Sequence, residues 1–469
     1  MKKITIIGAG LTGSLLAILL GQRGYSVEVY ERNPDARKNP LKTGKSINLT
    51  LCKRGINALE KAGLSAEVYK LSSPAYGRYI HLENGKSEIQ PYGNHNEALY
   101  SISRQALNSL LISEAEKMPG VKILFNEKCD GYDLTTSTVS ILKEDQHLSK
   151  IPFDTLIAAD GVYSKIRYQM QRRSGFNYSQ LYSTHANKEL TIPAEKAIEY
   201  NLQQNHLHIW PRDTFMLIGF PNPNKSFTCH LQIPVENNEI SFRGINSESK
   251  LLSIFNKLFP DAIPLMPNLV EEFFQNLEIP MLTIRCSHWN IEDKILLIGD
   301  AAHGICPSYG QGVNAGFEDC IALEECLHLY PNDTLAAFAE FQNRRKENTD
   351  TIANLSENHA NEIRNLVADP HFLLRKKLER KINLLFPTDY FSLYSRVAFT
   401  TLPYQEALRI EPQYKQIIDE LLTFSDINID MNSAQSENLI HQVMGKFYSS
   451  ITTNHLKTVE YYNEPSDFS

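Results

Sequence analysis

The 469-residue sequence predicts an α/β fold: a Rossmann-like domain, an interleaved mainly antiparallel sheet, and a C-terminal helical region. Three observations predict it. "KKITIIGAGLTGSLLAILLGQRGYSVEVYER" reads as strand, glycine turn, helix and second strand. Between residues 72 and 279, strand-like runs are separated by hairpin signals, Asn84 with Gly85 in one case and "PNPNK" in another. From residue 336, apolar positions recur at mixed spacings of three and four, and "DPHFLLRKKLERKINLLFP" is bounded by Pro370 and Pro387.

Composition excludes several function classes. Apolar residues make up 42% and charged residues 22%, so the chain is globular and long enough for more than one core. A net charge of −7, without a basic stripe interleaved with aromatics, argues against nucleic-acid binding. The seven cysteines form no C-x-x-C pair, which fits a reducing cytoplasm. His206 and His208 in "HLHIW" lack a third ligand at useful spacing, so no metal site is expected. The apolar run after "MKK" is broken by Gly8, Gly10 and Gly13 and leads straight into a strand, so it reads as fold rather than signal peptide. No membrane anchor is expected, because the polar tail from Ser436 is unsuited to a bilayer. The basic run "RKKLERK" reads as a solvated helix face, and no protein partner is inferred.

"ITII" is short, apolar and β-branched, as a buried parallel strand requires. Gly8 permits the tight turn after it, Gly10 lets backbone approach a pyrophosphate, and Gly13 lets the helix pack on the sheet. Glu31 ends the second strand, at about the 20-residue distance where an acid bonds ribose hydroxyls. This pattern points to an adenine dinucleotide without saying which.

Two later stretches narrow the choice. "FDTLIAADGVYSKIR" is a buried strand ending in Asp160 and Gly161, with Ser164 and Arg167 following at helical spacing. "KILLIGDAAHGICPSYGQGVN" is a strand ending at Gly299 and Asp300, then a loop through Pro307, Gly310 and Gly312 that opens a helix. In this order the three segments resemble those of the flavoprotein monooxygenases of the aromatic-hydroxylase type. That resemblance implies one FAD site built from all three, with Asp160, Asp300, Gly312, Val313 and Asn314 among its residues, and NADPH as a visiting co-substrate.

Between these motifs the chain resembles one branch, the kynurenine 3-monooxygenase family, from about Lys3 to about Ala407. The stretches "GKSINLTLCKRGINALEKAGL", "LHIWPRDTFMLIGFPNPNKSFTCHL", "GQGVNAGFEDC" and "FPTDYFSLYSRVAFTTLPYQEAL" bear the similarity. It implies NADPH- and O2-dependent hydroxylation of L-kynurenine to 3-hydroxykynurenine through a flavin C4a-hydroperoxide, so no catalytic side chain is required. Arg78 matches the carboxylate-binding arginine, Tyr92 and Tyr394 its two tyrosines, and Arg104 an arginine near the flavin. Phe227 and Pro307 match pocket-lining positions. Three positions depart from the family: Ser308 stands where a bulky residue is usual, Val313 replaces a methionine, and His359 falls where a substrate-contacting asparagine is expected, with Asn361 out of register by two. These leave open the same chemistry on a related aryl amino acid. Motifs and strand and helix signals together divide the chain into an expected FAD-binding unit (1–71, 98–175 and 280–335), a substrate sheet (72–97 and 176–279) and a helical region (336–469).

Overall fold

The computed structural model describes residues 3–38, 48–92, 97–212, 215–236, 239–366, 370–387 and 389–450. Residues 44–47, which open one of the family-like stretches, and the tail from 451 lie outside them, as does the side chain of Asn361.

Among the described residues, one sheet has six strands in the order Asn290–Ile291, Ile295–Leu297, Thr155–Ala158, Lys3–Ile7, Ser26–Tyr30 and Val121–Leu124. All its neighbours are parallel except the short edge strand Asn290–Ile291. Lys3–Ile7, Thr155–Ala158 and Ile295–Leu297 lie far apart in sequence yet side by side here. Because they run parallel, the turns that follow them leave the sheet at one edge. The helix Leu11–Gln22 is buried along most of its length, between this sheet and the helix Gly312–Leu329. A Cβ on Gly316 would lie 2.8 Å from Thr12 Oγ1, so a glycine at this crossing lets the two helices meet closely.

The second sheet has seven strands, ordered Ile279–Cys286, Tyr178–Ile192, Phe227–Pro234, Phe215–Pro221, Leu207–Arg212, Gly77–His81 and Ser87–Pro91. Its neighbours are antiparallel apart from the parallel pair Leu207–Arg212 and Gly77–His81. Both hairpin signals are used, with Gly85 at φ 76° and Lys225 at φ 68° in the turns. One face is covered by the helices Glu248–Leu258 and Leu269–Gln275, against which Trp210, Leu217, Phe227, Cys229 and Leu231 pack. These helices interrupt a stretch read as mainly strand; a sheet with one apolar face needs a covering layer. A small antiparallel sheet, Lys128–Asp133, Thr138–Leu142 and Leu148–Pro152, was not anticipated either.

The helical region opens with Thr334–Leu366 and Pro370–Leu385, close to the expected boundaries. The "RKKLERK" run is not simply solvated. Arg375 pairs with Asp419, Arg380 with Glu88 at 3.1 Å and Lys381 with Glu437, so its charges join this helix to its neighbours. No helix among the described residues is long and apolar enough to cross a membrane.

Candidate active site

The shared edge of the six-stranded sheet brings the three glycine turns together. Gly8 has φ 102°, and a Cβ there would lie 2.6 Å from the Ala159 carbonyl oxygen. Gly13 is closer still: its Cβ would be 2.0 Å from the Gly8 carbonyl oxygen, so any side chain would push the helix off the turn. A Cβ on Gly10 meets nothing within 4 Å, which leaves open space against the backbone at the start of the helix. Neither Leu11–Gln22 nor Gly312–Leu329 has a side-chain cap, so both present free N–H groups at this edge. Glu31 accepts from the Ala9 amide at 2.8 Å and from the Asn33 amide at 2.9 Å.

The middle turn is fastened to the last by Arg167. Its Nη1 donates to the Ala301 carbonyl at 2.8 Å and its Nη2 to the Val162 carbonyl. Asp160 accepts from the Lys165 amide at 2.8 Å through Oδ2, while its buried Oδ1 has no partner among the described residues. Burial raises its carboxyl above the usual range despite that hydrogen bond. Asp300 begins the short helix Asp300–His303, and among the described residues its carboxylate makes no hydrogen bond or ion pair. An orphaned carboxylate oxygen, an open cradle and two uncapped helix starts fit a dinucleotide with a polar chain, which is what FAD would present.

Beneath the last turn lies a charge network that sequence reading missed. Asp319 is fully buried and accepts from Arg345 Nε at 2.7 Å, from the Gly299 amide at 3.1 Å and from His303. Arg345 also donates to Glu318 at 3.0 Å and to the Ala315 carbonyl at 3.1 Å. Glu318 takes a second guanidinium, Arg54, at 2.7 Å, and Arg54 lies 3.9 Å from the Tyr404 ring centroid. Burial alone would raise the Asp319 carboxyl, but His303 and Arg345 hold it below the usual range. The available signal was "AGFEDCIAL": two adjacent acids flanked on both sides by apolar residues require buried partners. Asn314 belongs to the same scaffold. Its side chain is fully buried, accepts from the Cys52 amide at 3.0 Å and donates to the Thr50 and Gly310 carbonyls, both at 2.9 Å. Its amide therefore shapes the loop instead of pointing into open space.

Arg78 lies on the seven-stranded sheet, in the strand Gly77–His81. Its guanidinium carbon is 5.2 Å from the Tyr92 ring centroid and 4.9 Å from that of Tyr394, and the two rings stack at 5.6 Å. Burial disfavours its charge, but both tyrosines more than offset this and raise its pKa. Among the described residues no carboxylate pairs with it. Tyr394 sits on the helix Leu393–Phe399, so the C-terminal region completes a cluster begun on the sheet. Tyr309 lies 5.5 Å from Tyr394 and 5.0 Å from His359, ring to ring. Such a cluster can take a carboxylate against the guanidinium while leaving an aromatic-walled space beside it.

The structure thus brings Arg78, Tyr92 and Tyr394 together, with His359 joined through Tyr309. Ser308 donates to the Ser356 carbonyl, which ties the loop to the helix Thr334–Leu366 and satisfies the hydroxyl. Pro307 is exposed beside it, and Val313 is half-buried against the main core. Arg104 is exposed at the start of the helix Arg104–Lys117. Phe227 is not brought into this group: it is fully buried in the core between the seven-stranded sheet and its covering helices. Among the described residues no cluster of three His, Cys, Asp or Glu is arranged for a metal; His208 instead pairs with His81 at 2.9 Å.

A family model described as an FAD binding domain matches residues 1–333. The kynurenine 3-monooxygenase of Flavobacterium psychrophilum is 40% identical over 444 residues, covering 94% of this chain and 98% of that protein. That of Dictyostelium discoideum is 37% identical, covering 95% and 99%, and that of Sus scrofa 37% identical, covering 90% and 89%. Among solved structures, 2-methyl-3-hydroxypyridine-5-carboxylic acid oxygenase matches with a TM-score of 0.64 at 21% identity, over 80% of this chain and 95% of that one. PqsL from P. aeruginosa, in complex with 2-aminobenzoylacetate, matches with a TM-score of 0.63 at 20% identity, over 78% and 97%. The two structures share the fold. By its glycine turns, its FAD-binding match and relatives of one name along nearly its whole length, the chain belongs to the kynurenine 3-monooxygenase family of FAD-binding monooxygenases.

Proposed function

We propose that this chain hydroxylates the aromatic ring of L-kynurenine to 3-hydroxykynurenine, with FAD as cofactor and NADPH and O2 as co-substrates. The ring exchanges a C–H for a C–OH, the second oxygen atom leaves as water, and NADPH supplies the two electrons. The observation that carries this reading is Arg78, a cation enclosed by Tyr92 and Tyr394 and without a carboxylate of the protein's own among the described residues. An amino-acid carboxylate would complete it.

Bound FAD supplies the redox and oxygen chemistry. In this reading Gly8, Gly10 and Gly13 receive its pyrophosphate, Glu31 its ribose, Asp160 and Asp300 its polar chain, and the backbone of Gly312 and Val313 its ring, on a loop shaped by Asn314. Arg104 borders the cofactor. Residues 1–71, 98–175 and 280–335 form the cofactor unit, 72–97 and 176–279 the substrate sheet, and 336–469 the helical region that supplies Tyr394. His359 and Tyr309 wall the amino-acid end, and Pro307 and Ser308 the loop side, holding the ring in place and keeping water out. Relatives sharing one name favour kynurenine over a related aryl amino acid. Seven buried free cysteines support a reducing, cytoplasmic setting.

The test is NADPH oxidation by the FAD-loaded protein with and without L-kynurenine, with product mass read beside it. Acceleration with a product one oxygen heavier is expected. A yellow protein whose NADPH oxidation is indifferent to L-kynurenine would refute the assignment.

A further inference from the structure

The strand Phe227–Pro234 alternates between two environments. Phe227, Cys229 and Leu231 point into the core with the covering helices, so Thr228, His230 and Gln232 point to the opposite face. Arg78 is on that face too. It lies two residues from Ile80, and the register runs Ile80 to Ile209, Ile209 to Ile218, and Ile218 to His230. The strands of Arg78 and His230 are three steps apart, roughly 14 Å at the usual strand spacing. With both side chains reaching inward, the gap left between them is on the order of an aryl amino acid's length.

His230 is unusual on this face. It is only 8% exposed, and its Nε2 is buried without a hydrogen-bond partner among the described residues. Burial pushes its pKa down to about 4, so the ring is neutral at physiological pH. Gln232, next along this face, has a partner in the Met281 sulfur at 2.9 Å. The His230 ring sits 4.7 Å from that of Phe220, which packs on the cluster containing Tyr92 and Tyr394. A continuous wall therefore runs from the Arg78 cluster to a buried nitrogen able to accept or donate one hydrogen bond. Leaving such a group unanswered is unfavourable, so a ligand atom that answers it is selected over one that does not.

We propose that His230 is a specificity-determining residue: it hydrogen-bonds the amino group on the aromatic ring of the substrate whose carboxylate Arg78 holds. This rests on the substrate class proposed above. Its role is to fix the ring edge, and it takes no part in proton transfer.

The test is binding, read by perturbation of the flavin absorbance in the FAD-loaded protein, which does not depend on turnover. L-Kynurenine and its analogue lacking the aryl amine, 2-amino-4-oxo-4-phenylbutanoate, are titrated into wild type, His230→Phe and His230→Asn. Wild type should prefer the amine-bearing ligand. His230→Phe should lose about tenfold of that preference, the size of one hydrogen bond to a buried group, and His230→Asn should retain part of it. An unchanged preference in the variant that folds and keeps its flavin would overturn the role of His230 while leaving kynurenine hydroxylation standing. A His230-dependent preference in a protein that does not hydroxylate kynurenine would do the reverse. If wild type distinguishes the two ligands by less than twofold, the inference fails outright.

Discussion

The arginines under the glycine loop and the arginine on the substrate sheet differ in what answers their charge. Arg54 and Arg345 share Glu318, and Arg345 closes on Asp319, so both guanidinium charges are answered without a ligand. Arg78 faces two tyrosine rings and, among the described residues, no carboxylate. A buried cation with its own anion is scaffold; one held by two tyrosines and no anion can receive one from a ligand. The first arrangement fixes the loop, and in the proposed function the second leaves recognition to the substrate.

That contrast can be broken from the scaffold side with the largest effect. Asp319→Ala leaves Arg345 and His303 facing a void, and losing one partner of a buried pair costs about 3–5 kcal/mol. Urea unfolding should show that loss, together with weaker FAD retention. Asp319 also makes stability depend on pH. Its folded pKa is depressed, so its contribution is present above the ordinary aspartate value, about 3.9, and is lost as pH falls through the folded value. Unfolding of wild type should steepen in that acidic window, and unfolding of the variant should not. Gly13→Ala tests the turn itself: with Gly8 O only 2.0 Å from the added carbon, the purified protein should carry little or no FAD.

Smaller effects are expected on the ligand side. Arg78→Ala should raise the KM for L-kynurenine by about 10- to 150-fold, the range of one charged hydrogen-bonding interaction worth ~1.5–3 kcal/mol, with flavin content unchanged. Smallest of all, Ser308→Ala removes one hydrogen bond to the Ser356 carbonyl, worth about 1 kcal/mol of stability, with KM little altered. A large KM change would mean that the hydroxyl faces the substrate instead of the helix.

Local signals were legible in the sequence wherever one stretch of chain sufficed. The turn at Gly8, Gly10 and Gly13 was legible because a strand, a turn and a helix follow one another within about 30 residues. The two hairpins and the long C-terminal helices were readable for the same reason. What failed depends on pairing across distance. Nothing in the sequence says that Arg345 meets Asp319 or that Arg54 meets Glu318, although the acids in "GFEDC" hinted that something must. Phe227 resembled a pocket residue by its motif, yet strand alternation turns it into the helix-covered core and turns His230 the other way. Register, which decides which alternate residue faces the ligand, is fixed by strands that are not adjacent in sequence.

The central claim is that the charge of Arg78 awaits the carboxylate of an amino acid bound beside the cofactor loop. The direct measurement compares L-kynurenine with its decarboxylated amine as ligands of wild type and Arg78→Ala, both loaded with FAD and titrated by flavin absorbance. The account predicts that the substitution weakens L-kynurenine by at least tenfold and leaves the decarboxylated amine nearly unaffected. Equal weakening of both, or of neither, would contradict it.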